Sequence, residues 1–129
     1  MHAYGAKNAD WWDEGRLIEI SFQHKQLTST IPENIGDLDK LEILRLTGNQ
    51  LTGGIPDNLM NLNNLKILKL NSNELSGTIP ENIGTLKNLD SLYLSYNNLT
   101  GEIPPSITAI DSLTYLALNN NNLTGSIPQ

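Results

Sequence analysis

From Leu17 to the last residue the chain repeats itself every 24 residues, and this period constrains its fold more than any other feature. The segments beginning at Leu41, Leu65, Leu89 and Leu113 read LEILRLTGNQLTGGIP, LKILKLNSNELSGTIP, LDSLYLSYNNLTGEIP and LTYLALNNNNLTGSIP, and a more divergent copy, LIEISFQHKQLTSTIP, begins at Leu17. The period divides the chain into a lead-in at 1–16, units at 17–40, 41–64, 65–88 and 89–112, and a partial unit at 113–129. A unit of this length cannot close a core alone, so stability has to come from stacking each unit on its neighbours. Divergence at Leu17 suits a terminal unit, which has a neighbour on one side only.

Each column of the repeat has a physical reading. In the second unit Leu41, Leu44, Leu46, Leu51, Ile55, Leu59 and Leu62 are the aliphatic positions, and they are predicted to point inward. Alternation such as Leu44-Arg45-Leu46 or Leu92-Tyr93-Leu94 has the period of two expected of a half-buried strand, one per coil, stacked in parallel. Three residues beyond each strand stands an asparagine, Asn49, Asn73, Asn97 or Asn121. An amide both donates and accepts, so this column predicts a structural asparagine ladder that satisfies the backbone where it turns inward. The first unit has Lys25 there, which has no acceptor, so its turn is expected to be built differently. Glycines at 53, 77, 101 and 125 suggest a positive φ or a close contact between coils. Prolines at 32, 56, 80, 104 and 128 bend the chain away from sheet pairing toward a tighter return segment of 3₁₀ character.

Composition excludes several functions. Without cysteine there is no disulfide framework, thiolate metal site or cysteine nucleophile. A net charge of −6 argues against nucleic acid or anionic membrane as partner, and no apolar run is long enough for membrane insertion. His2 and His24 are far apart, and Glu33, Asp37, Asp39, Asp57, Glu81 and Asp111 fall on the loop side without converging, so neither an enzyme, a metal site nor a cofactor is expected. The Asn98-Leu99-Thr100 and Asn122-Leu123-Thr124 acceptor patterns arise from the repeat consensus itself and say little about secretion.

The phrases NQLTGGIPDNL, NELSGTIPENIG and NNLTGEIPPSI resemble the plant-type leucine-rich repeat family, over residues 17–129. The resemblance implies an α/β-class, right-handed curved solenoid, with a parallel sheet on the concave face and 3₁₀ or irregular segments on the convex face. It further implies a noncatalytic module that recognises a protein, a peptide or a glycan, and it favours an extracellular or cell-surface location. Plant ectodomains of this type carry a cysteine pair in the N-terminal cap. The lead-in MHAYGAKNADWWDEGR has none, so the chain looks more like bacterial or protist members, with Trp11 and Trp12 expected to cover the first layer.

On such a solenoid the side chains between the inward leucines form columns on the concave face, with candidate binding residues Ile43, Arg45, Ile67, Lys69, Tyr93, Tyr96 and Tyr115. Tyrosine and arginine are favoured anchors of interfaces. Arg45 and Lys69, read as a cationic pair, suggest an acidic peptide or an anionic glycan as partner. The same residues also suit exposed parallel strands for their packing alone. Two other readings stay open. The layer of Leu113, Leu116, Leu118, Leu123 and Ile127 could stack on another chain, giving a structural or self-associating protein. The hydroxyl column Thr28, Thr52, Ser76, Thr100, Thr124 could order water as in ice binding, although its neighbouring column contains Gly54 and Glu102.

Overall fold

A computed structural model describes residues 12–13 and 16–128. The chain winds into a solenoid of stacked coils. Five three-residue strands, β3 (Glu19–Ser21), β4 (Ile43–Arg45), β5 (Ile67–Lys69), β6 (Ser91–Tyr93) and β8 (Tyr115–Ala117), form one parallel sheet. They pair in strict register, Leu44 beside Leu68 and Leu68 beside Leu92. Ahead of them β1 (Trp12–Asp13) pairs antiparallel with β2 (Arg16–Leu17). The side chains of Trp11 and Trp12, expected over the first layer, lie outside the described residues.

The inward columns form one continuous core. Leu41, Leu44, Leu59, Leu62, Leu65, Leu70, Leu75, Leu89 and Leu92 have no exposed surface. Met60, which the aliphatic columns do not include, is buried beside Leu59 on the return side. In the final coil Leu113, Leu118 and Leu123 are only partly covered, and Leu116 is 42% exposed.

The return segments at Glu33–Asp37, Asp57–Asn61, Ile83–Thr85 and Pro105–Ala109 are 3₁₀ helices of at most five residues, and no α-helix occurs among the described residues. Proline precedes three of them directly and sets an extended φ of about −60° at their start. Coils approach closely here. A Cβ on Gly84 would overlap the Ser106 carbonyl, and one on Gly36 would overlap Asn58.

The expectation of one strand per coil is incomplete. Beyond the asparagine turn, β7 (Thr100–Glu102) pairs in parallel with β9 (Asn122–Thr124), and single bridges join Thr30 to Thr52 and Thr78 to Thr100. The cause is the extended run after the turn, whose amides Thr52 N, Ser76 N and Thr100 N donate to Ser29, Gly53 and Gly77 carbonyls at 2.8–2.9 Å. A second, narrower ladder therefore flanks the main sheet. Gly77 in this ladder has φ +76° and nothing within 4 Å of where its Cβ would be, so conformation rather than crowding calls for glycine.

Between the two ladders lie the asparagine side chains. Asn73 Nδ2 donates to Leu70 O of its own coil at 3.1 Å and to Leu46 O of the preceding coil at 3.0 Å, while Asn73 Oδ1 accepts from Leu51 N at 3.1 Å. Asn97 and Asn121 repeat these bonds one and two coils later. Asn49 does the same toward the first coil, and its Oδ1 accepts from both Lys25 N and Leu27 N at 3.0 Å. In that first turn both His24 and Gln26 adopt positive φ, a pairing of left-handed residues that no later coil shows.

Replacing Asn73 by Leu leaves Leu51 N without an acceptor, whereas Leu46 O and Leu70 O keep Asn49 and Asn97 as donors. The expected cost is about 2–3 kcal/mol in urea unfolding; an unchanged midpoint would count against a buried role. The return side offers the opposite test. Ser106 Oγ accepts from Gly84 N at 3.1 Å and donates to Glu81 O at 2.7 Å, but Asn58, at the equivalent place over Gly36, leaves its buried Oδ1 without a partner. Asn58→Ser should recreate the Ser106 link and raise stability by about 1 kcal/mol.

Candidate functional site

The parallel register fixes which outward side chains can meet. One concave column runs Glu19, Ile43, Ile67, Ser91, Tyr115, and the other Ser21, Arg45, Lys69, Tyr93, Ala117. Ile43 and Ile67 lie side by side, half-buried, as an apolar floor. Small residues stand directly opposite the large ones in the last two strands, Ser91 beside Tyr115 and Ala117 beside Tyr93. The two rings therefore meet on the diagonal, stacked with centroids 4.6 Å apart and planes 19° from parallel. Lys69, directly across from Tyr93, holds its ammonium 4.5 Å from that ring's centroid, within cation–π range.

Arg45 does not join Lys69 as a cationic pair. Its Nη1 donates to Glu19 Oε1 at 2.8 Å, with both side chains about three-quarters covered. Glu19 lies one strand back on the diagonal, within reach of the long guanidinium arm, and partial burial strengthens their attraction. Among the described residues no carboxylate pairs with Lys69, so the cationic character of this face rests there.

Where each strand ends, the chain takes a left-handed residue. His24, Gly48, Ser72, Tyr96 and Asn120 have φ between +54° and +72°. Tyr96 thus stands on the rim of the sheet, 55% exposed, beyond Tyr93 on the same coil; Tyr115, 50% exposed, stands on the next. Glycine at position 48 was the sign in the sequence that this column is left-handed.

Just below the tyrosines, Asp90 ties β6 to β8. Its carbonyl accepts from Thr114 N at 2.8 Å and Tyr115 N at 3.1 Å. Its carboxylate accepts from the hydroxyls of Ser91 and Thr114, each at 2.8 Å. These bonds, that of Ser91 first, favour the charged form and hold the carboxyl below the usual carboxylate range.

Two other surfaces were open candidates. On the flank Thr28, Thr52, Ser76, Thr100 and Thr124 are all exposed, but the row beside them, Thr30, Gly54, Thr78, Glu102, Ser126, loses its hydroxyl at two places. At the C-terminal end Ile127 is 77% exposed over a shallow groove lined by Ile103, Pro105 and Pro128. Among the described residues no cluster of three His, Cys, Asp or Glu could hold a metal ion, and no helix is long and apolar enough to cross a membrane.

The family model for leucine rich repeats matches residues 39–99 and 63–123, together more than half of the chain. The chain belongs to the leucine-rich repeat family, in its plant type. A crystal structure of the BIR3–SERK2 complex from Arabidopsis thaliana is 39% identical, with a TM-score of 0.86 over 92% of this chain and 64% of that one. The PEPR1–AtPEP1 structure is 45% identical, TM-score 0.85, over 87% of this chain and 16% of that one. A plant ice-binding protein is 38% identical, TM-score 0.81, over 87% of this chain and 36% of that one. This chain therefore spans less than two thirds of each of those proteins. No curated protein sequence matches it.

The Asp90 contacts generate a pH dependence of definite sign. A carboxyl whose folded pKa is lowered contributes stability above its unfolded pKa, and loses it as pH falls through the folded value. The Asp90 side-chain carbon should titrate below the ordinary aspartate midpoint in a carbon-detected NMR series. Ser91→Ala should move that midpoint up further than Thr114→Ala; a midpoint indifferent to both would refute the assignment of cause.

Proposed function

We propose that the chain is a noncatalytic recognition module that takes a peptide segment, free or displayed on a protein, on its concave sheet. The observation that carries this reading is the Lys69–Tyr93–Tyr115 stack. Three large side chains already hold one another in place on an exposed sheet, so a partner meets them with little rotamer entropy left to lose. Rigid tyrosines supply apolar area together with a hydroxyl for hydrogen bonding. Several similar solved structures are receptor complexes, among them the plant peptide hormone receptor RGFR1 in complex with RGF2. Lys69 suits a carboxylate on the partner, so an acidic peptide is the first choice and an anionic glycan the second. The flank is the weaker rival, because Gly54 and Glu102 break the hydroxyl lattice that ordered water would require.

The test is to pan a displayed random-peptide library on the wild-type chain. Enriched peptides should carry Asp or Glu, and should bind Lys69→Glu and Tyr93→Ala/Tyr115→Ala at least about tenfold more weakly. Lys69 and Tyr93 are half-buried and Tyr115 exposed, all outside the core, and melting temperatures should move by only a few degrees. No enrichment, or peptides that bind the variants equally well, would overturn the proposal. Arg45→Glu is a poor substitute, since it would place a second carboxylate against Glu19.

A further inference from the structure

Two residues carry rings in a column where the backbone is always left-handed: His24, whose imidazole lies against Gly48 of the next coil, and Tyr96. Left-handed φ is free for Gly48 and more readily adopted by asparagine and histidine, as at 120 and 24, whereas tyrosine meets the Cβ–carbonyl crowding with no short polar side chain to bond its own backbone. The fold imposes this conformation whatever the side chain. Tyr96 N donates to Asn119 O at 3.0 Å and Tyr96 O accepts from Asn73 N at 3.2 Å, so both backbone groups are committed to the coils on either side.

Tyr96 is 55% exposed, and among the described residues its ring stacks on no other and its hydroxyl has no hydrogen-bond partner. A large side chain held in a costly conformation and left more than half exposed points to a role outside the fold. We infer that Tyr96 is a specificity-determining anchor of the concave binding surface, receiving an apolar or aromatic side chain of the bound peptide. Lys69 meets that peptide's carboxylate. This inference rests on the concave-face reading and adds that the binding residue is carried at the expense of stability.

The two effects have opposite signs, which separates an anchor from a structural residue. Tyr96→Gly relieves the left-handed strain and should raise the melting temperature by roughly 3–6 °C. The same substitution should weaken binding of the library-selected peptides about tenfold or more. Tyr96→Asn, which tolerates the same backbone, is a second variant and should behave alike. Peptides that lose binding on Tyr93→Ala/Tyr115→Ala but bind Tyr96→Gly normally would overturn this inference and leave the concave reading intact. A Tyr96→Gly chain that melts lower than wild type would also overturn it, because the side chain would then be supporting the coil. Peptides indifferent to all three tyrosines would sink both readings.

Discussion

The asparagine amide between the two ladders is the constraint on which the rest depends. A chain that turns inward every 24 residues must bury carbonyls and amides that no strand can satisfy, and each such group left bare costs about 1–3 kcal/mol. One side chain settles this for two coils at once, since Asn97 bonds to carbonyls of its own strand and of the strand before it. That shared bond sets the spacing of the coils. The spacing in turn brings the leucine layers into contact and holds the outward columns in register. The concave strands are therefore held in place by bonds made beneath them rather than by their outward side chains.

This division of labour explains why similar coils serve different ends. Solved structures of comparable likeness include receptor complexes and a plant ice-binding protein, so the scaffold alone selects no ligand. Selection falls to the columns that the core does not use. Here the first three strands present an internally neutralised Glu19–Arg45 pair and an isoleucine floor, and the last two present tyrosines. The face is thus polarised along the solenoid axis, with Lys69 at the boundary between its halves.

Most of the architecture was legible in the sequence because it follows from periodicity. Inward leucines, short parallel strands and proline-led 3₁₀ segments all depend on residue type and position within one unit. What could not be read depends on geometry between units. Thr-Gly-Glu at 100–102 looks like a turn until the next coil supplies Asn122–Thr124 as its partner. Glu19 and Arg45 sit in different columns, and only the diagonal reach across adjacent strands joins them and removes Arg45 from the cationic surface. Met60 occupies a column that holds Gly36 and Gly84 in neighbouring coils, so its burial has no periodic signature. The tyrosines could be named as a group from their columns. Their stacking could not, because it requires the small residues Ser91 and Ala117 across the strand.

A strained Tyr96 is tolerable because stability in a solenoid is a sum of coil and neighbour terms. The strain is local to one residue, whereas the bonds that impose it come from coils on both sides. A coil held at both faces can absorb such a cost without opening; a coil at the end, with one neighbour, would fray first. The position of Tyr96 follows this logic. It lies on the fourth coil, whose leucines Leu92, Leu94 and Leu99 are fully covered, while the coil beyond it leaves Leu116 exposed. At Tyr96, bonds from the coils on both sides over-determine the conformation.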